Sequence, residues 1–89
     1  MITNELVKKV HQWLGPEGRD FFKGIKENNE DLATAVWMEN GIPHPVHFRE
    51  GMQVRNFLRK TGLCDNWTDH DLDNNWGTVI EQALEGNPT

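Results

Sequence analysis

Four residues of the kinds that bind zinc, His44, His47, Cys64 and His70, lie between positions 44 and 70 of the chain. Their spacing does not make a zinc pattern. His44 and His47 are three apart in a proline-containing segment, and there is neither a paired CxxC nor a helical HExxH. Cys64 as a nucleophile would need a base and a cationic setting to form thiolate. Its sequence neighbours Asp65, Asp69 and Asp71 act in the opposite direction, so a small core residue is the better expectation. The carboxylates Asp65, Asp69, Asp71 and Asp73 depart from the calcium-loop pattern, with no glycine at the turn and no glutamate at the twelfth position. No catalytic residue, metal site or cofactor is expected, and the chain does not read as an enzyme. A small metal-binding protein stands only as a distant alternative.

Charge is more informative. Residues 48–60 carry Arg49, Arg55, Arg59 and Lys60 against Glu50, while residues 61–89 hold six acids and neither Lys nor Arg. Arg55 and Arg59 are four apart and share a helix face. In one reading the basic face docks on the acidic segment within the molecule. In the other the two stay apart and offer a dipolar surface. Arg49, Arg55, Asn56, Arg59 and Lys60 would then contact phosphate or carboxylate, and exposed tryptophans such as Trp37 and Trp67 would anchor an interface.

The elements that must position these groups read as helices. Leu6, Val7, Val10, Trp13 and Leu14 have helical spacing, with Thr3 or Asn4 as cap and Gly15-Pro16 as stop. Pro16 can open a second helix with the stripe Phe21, Phe22 and Ile25, weakened by Gly24 inside it. Asn29 reads as the cap of a third, with Leu32, Ala35 and Val36 as its stripe and Asn40-Gly41 as its end. Phe48 to Thr61 forms a fourth, with Val54, Phe57 and Leu58 inward and Gly62 beyond. The last starts at a Thr68–Asp71 capping box, buries Leu72, Trp76, Val79, Ile80, Ala83 and Leu84, and ends at Gly86 and Pro88. The expected fold is therefore all-α, a compact bundle of four to five short helices in a single domain over residues 1–89. Asn-Gly is also a strong hairpin signal, so a minor β-hairpin around Asn40-Gly41 is the competing reading. Pro43 and Pro45 would confine its return arm to an edge or an extended loop. The segment from Gly41 to His47 should be ordered by those prolines. Ile42, Val46 and Phe48 would lie on the core, with His44 and His47 projecting elsewhere.

The chain has 89 residues and a net charge of −5. Its length suits one domain with a thin stability margin. The net charge opposes adhesion to nucleic acid or anionic membrane through the whole surface. A lone cysteine suits a reducing compartment. The N-terminal MITNELVKKV is charged too early for a signal peptide, and no apolar run approaches membrane-helix length. A cytoplasmic location is expected.

The segment His47-Phe48-Arg49-Glu50-Gly51-Met52-Gln53-Val54-Arg55-Asn56-Phe57-Leu58-Arg59, with Trp67 and His70-Asp71-Leu72-Asp73-Asn74-Asn75-Trp76, resembles small proteins of the bacteriophage type. The resemblance covers roughly the C-terminal half and carries no activity, fold or site residues. It implies a host-directed binding or inhibitory role. The expected function is thus a small acidic protein-binding or inhibitory module that occludes a macromolecular partner. The expected partner is a protein. A nucleic-acid reader using helix 48–60 is the alternative, disfavoured by net charge. No membrane partner is expected. A homodimer, with contacts at Trp37, Met38 and Ile42, would complete a core too small for a generous margin.

Overall fold

A computed structural model of the chain describes residues 2–85. The order is α1 (Asn4–Asn28), β1 (Val36–Glu39), β2 (Ile42–Pro45), a 3-10 turn (Val46–Phe48), α2 (Glu50–Lys60) and α3 (Asp69–Leu84). This corrects the expected bundle of four to five helices. Among the described residues there are three helices and a two-stranded antiparallel sheet. The expected helix stops at Gly86 and Pro88 lie outside the described residues.

The first two expected helices run together as α1, broken at Gly15, whose φ of 66° and ψ of 177° are not helical. That region of backbone space is open essentially to glycine alone. Thr3 caps α1, its hydroxyl accepting from the Leu6 N–H at 3.2 Å. Leu6, Val7, Val10, Phe22 and Ile25 are buried, mostly against α3. The Thr68–Asp71 capping box is present in both directions. Leu72, Trp76, Val79, Ile80 and Ala83 form the buried stripe of α3. His11 Nδ1 lies 2.8 Å from the Ala83 carbonyl. A carbonyl only accepts, so that nitrogen carries the ring proton.

The third expected helix does not form. Leu32–Thr34 is a turn, and Val36–Glu39 is a strand that pairs with Ile42–Pro45. Asn40 and Gly41 both have positive φ, 55° and 79°. This is the pattern of the type I′ turn, whose twist matches that of a hairpin. Glu39 and Ile42 flank the turn and so form a hydrogen-bonded pair. Alternation makes Trp37 and His44 the next such pair. The N–H of Val46 donates to the Ala35 carbonyl at 3.0 Å in the same series. Pro43 and Pro45 therefore fall at the intervening positions, where the ladder needs no N–H. This is how an Ile-Pro-His-Pro segment can be a strand. Asn29 does not cap a helix of its own. Its side chain donates to the Ile25 and Val36 carbonyls and accepts from the Val36 N–H, which ties the end of α1 to the outer edge of β1.

Candidate functional site

Trp76 is fully buried at the centre of the packing between α2 and α3. A Cβ on Gly51 would stand 2.8 Å from its Cζ2, so α2 approaches α3 only because residue 51 lacks a side chain. The indole N–H of Trp76 donates to His47 Nδ1 at 3.2 Å. An indole nitrogen only donates, so Nδ1 accepts and the neutral ring carries its proton on Nε2. Arg55 Nη1 lies 3.2 Å from both ring nitrogens and donates to the His47 carbonyl at 3.3 Å. Arg55 Nε lies 3.5 Å from Asp73 Oδ1. Only 8% of Arg55 is exposed. No serine, threonine or cysteine joins His47 among the described hydrogen bonds, so no nucleophile–base pair is built there. The group is a polar clamp that locks the 3-10 turn to both helices.

The hairpin stands over this clamp with two unlike faces. Trp37, half-buried, stacks on His44 with ring centroids 4.9 Å apart, and the Arg49 guanidinium lies 4.9 Å from the Trp37 ring centroid. The register places Val36, Met38, Pro43 and Pro45 on the opposite face, and all four are exposed. Met38 is 61% exposed. Phe48, at 71% exposed, continues this surface. Together with Pro45, His47, Asp73 and Asn74, Val36 and Phe48 line a depression of about 580 Å³. Contiguous apolar surface with a polar edge at Asp73 and Asn74 is the feature of this molecule best suited to contact.

The other sequence-designated residues are dispersed. Arg59 bonds to Asp69 at 2.9 Å and to Asn56 at 3.2 Å, both on the exposed side. The basic helix thus docks on the acidic segment through Arg55–Asp73 and Arg59–Asp69. Arg49 pairs with Glu50, and Lys60 is exposed. Trp67 is half-buried and borders a separate depression with Ile2, Asn66, Asp71 and Asn75.

The zinc-type residues do not converge. His44 faces Glu39 at 3.5 Å, His70 bonds to Asn74, and Cys64 is buried. Among the described residues no three His, Cys, Asp or Glu stand together as metal ligands. Burial pushes the Cys64 thiol above its ordinary value, with Asp65 a lesser cause. The expectation that Ile42 and Phe48 lie on the core is corrected. Val46 alone does so, because the strand pairing ends there and the 3-10 turn rotates Phe48 outward.

Sequence reasoning missed Val36, Pro43, Pro45 and Phe48 as surface. The signal was present: alternate residues of a hairpin carrying only apolar side chains imply a second apolar face with nothing from this chain to cover it. No family model matches the chain, and neither a curated protein nor a solved structure matches it. None of the described helices is long and apolar enough to cross a membrane.

Proposed function

We propose that the chain is a protein-binding module that occludes a macromolecular partner through the outer face of its hairpin. The exposed apolar surface formed by Val36, Met38, Pro43, Pro45 and Phe48 carries this reading. The I′ turn, two prolines and the Asn29 clamp hold the surface in place, so little ordering entropy is lost on contact. Asn74 and Asp73, whose Oδ1 faces Arg55, border the surface as polar groups. An inhibitory, host-directed role accords with the resemblance of the C-terminal half to phage-type proteins. The nucleic-acid alternative finds less support. Two of the four cations of residues 48–60, Arg55 and Arg59, are engaged by α3.

The test is binding by purified components. A partner captured from host extract is purified and titrated against the wild-type chain and against a Met38→Asp, Phe48→Ser variant. Both changes lie on exposed residues, so folding, followed by circular dichroism, should persist. The variant should bind at least about tenfold more weakly, the loss expected on truncating a central anchor. Equal binding by the variant would remove the hairpin from the interface. Light scattering on the chain alone distinguishes self-association: a dimer that the same variant dissociates would assign the face to a second copy.

A further inference from the structure

A second surface shares no lining residue with the hairpin depression. It is a groove of about 430 Å³ between α1 and α2, a size in the range of ligand pockets. Trp13 and Phe21 form its walls, each 41% exposed, and the buried Phe22 and Val54 also line it. Trp13 is held by a stacked contact with Phe57, centroids 4.4 Å apart and planes 10° from parallel. Two carboxylates, Glu17 and Glu50, line the groove, and no Lys or Arg does so among the described residues. Glu17 and Phe21 are four apart on the helix beyond the break at Gly15, and Trp13 lines the same groove from before the break.

Glu50 is incompletely satisfied. Its Oε2 lies 3.6 Å from Arg49 Nε. Its Oε1 is shut off from solvent and has no hydrogen-bond partner. A buried acceptor without a donor is costly and rare. Glu17 makes no ion pair among the described residues. Exposed aromatic faces with two carboxylates and no cation between them are complementary to a flat cation.

We propose that this groove seats an arginine side chain presented by a protein partner. A guanidinium can stack on the indole of Trp13 while its N–H groups reach carboxylate oxygens of Glu17 and Glu50. Because Glu50 Oε1 is shut off from solvent, the carboxylate must turn toward the groove that it lines to meet that donor. Arg49, engaged by Glu50 Oε2 and the Trp37 face, does not line the groove, and because Phe57 covers one face of Trp13 the incoming cation would take the other.

The experiment is an NMR titration of the isotopically labelled full chain with the blocked tripeptide acetyl-Ala-Arg-Ala-amide. The same peptide with Gln in place of Arg, and free arginine amide, serve as comparisons. Saturable shifts are expected at the Trp13 indole N–H and the Gly18 and Gln53 amides with the arginine peptide and not with the Gln peptide. Glu17→Gln with Glu50→Gln should weaken binding at least fivefold. Glu17→Gln alone, on an exposed residue, should weaken it two- to threefold and stands in should the double variant not fold. Met38→Asp with Phe48→Ser should leave the binding unchanged, so failure of this site and failure of the hairpin face are separate results. Equal shifts from the Gln peptide, unweakened binding by the Glu17 variant, or shifts located elsewhere would overturn the proposal. Free arginine amide binding more tightly than the peptide would also overturn it, assigning the groove to a small guanidine instead.

Discussion

At the scale of single residues, Gly51 and Trp76 decide how closely α2 meets α3. Trp76 is fully enclosed and cannot swing aside, and the atom that a Cβ at position 51 would meet belongs to its rigid ring system. Gly51→Ala adds helix propensity worth a little under about 1 kcal/mol, but overpacking of this kind costs about 1–3 kcal/mol. The overlap should prevail because the backbone of α2 must move to relieve it. Urea denaturation should therefore show Gly51→Ala destabilised by about 1–2 kcal/mol. A variant as stable as wild type would mean that α2 can shift without cost. Arg55 and Arg59 show how differently two cations on one helix face can be used. Arg55 is enclosed with three acceptor groups around it, whereas Arg59 meets Asp69 in open solvent, where such pairs contribute little.

At the scale of elements, the start of α3 is set by short-range chemistry. The Thr68 hydroxyl accepts from the Asp71 N–H, and the Asp71 carboxylate accepts from the Thr68 N–H. These bonds from Thr68 hold the Asp71 carboxyl below its ordinary value, with a smaller favourable contribution from His70. A carboxyl depressed in the folded state contributes stability that is fully present above its unfolded value, about 3.9. The contribution is lost as pH falls through the lower, folded value. Urea midpoints of the wild-type chain should accordingly decline in acid below about pH 4. Asp71→Asn should show a shallower decline over the same interval, because the titrating group is gone. Parallel acid limbs for the two proteins would exclude Asp71 as a contributor. The hairpin illustrates a different control. Its turn is local, from Asn40 and Gly41, but its attachment depends on Asn29, seven residues before the backbone it holds.

At the scale of the whole molecule, the extents are 38 × 27 × 19 Å. The shortest is less than two helix diameters of about 10–12 Å each, so one thin apolar layer supports the fold. Stability then depends on backbone geometry as much as on core volume. Gly15 and Gly24 make a test within one helix. A Cβ would meet nothing within 4 Å at either position, so only the backbone distinguishes them. Gly15 sits at positive φ, and Gly15→Ala should destabilise by about 1–3 kcal/mol. Gly24 has ordinary helical backbone, and Gly24→Ala should stabilise by roughly 0.5–1 kcal/mol. Thermal melts of the two variants should move in opposite directions. Movement in the same direction would show that the break at Gly15 is not required by the fold.

Local chemistry was legible in the sequence wherever neighbouring residues suffice. The Thr3 cap, the break at Gly15-Pro16, the Thr68 box and the inward stripe of α3 each depend on contacts a few residues apart, and all are present, while the helix expected over Phe48–Thr61 forms over Glu50–Lys60. The burial of Cys64 was expected from its acidic setting, and the docking of the basic helix on the acidic segment was one of two readings that the charge order left open. The segment from Asn29 to Phe48 was not settled in this way. Leu32, Ala35 and Val36 suit a helix by spacing, and only the Asn29 clamp, the Ala35–Val46 bond and the outward proline positions select the hairpin. Those contacts join residues that periodicity treats separately. The same reason hid the surfaces. Phe48, Trp13 and Phe21 have the composition of core residues, and their exposure follows from a hairpin face and a helix groove that no other part of the described chain covers. Which apolar residues are left outside is a property of the assembled shape, because it depends on how many faces the chain can cover with what remains of itself.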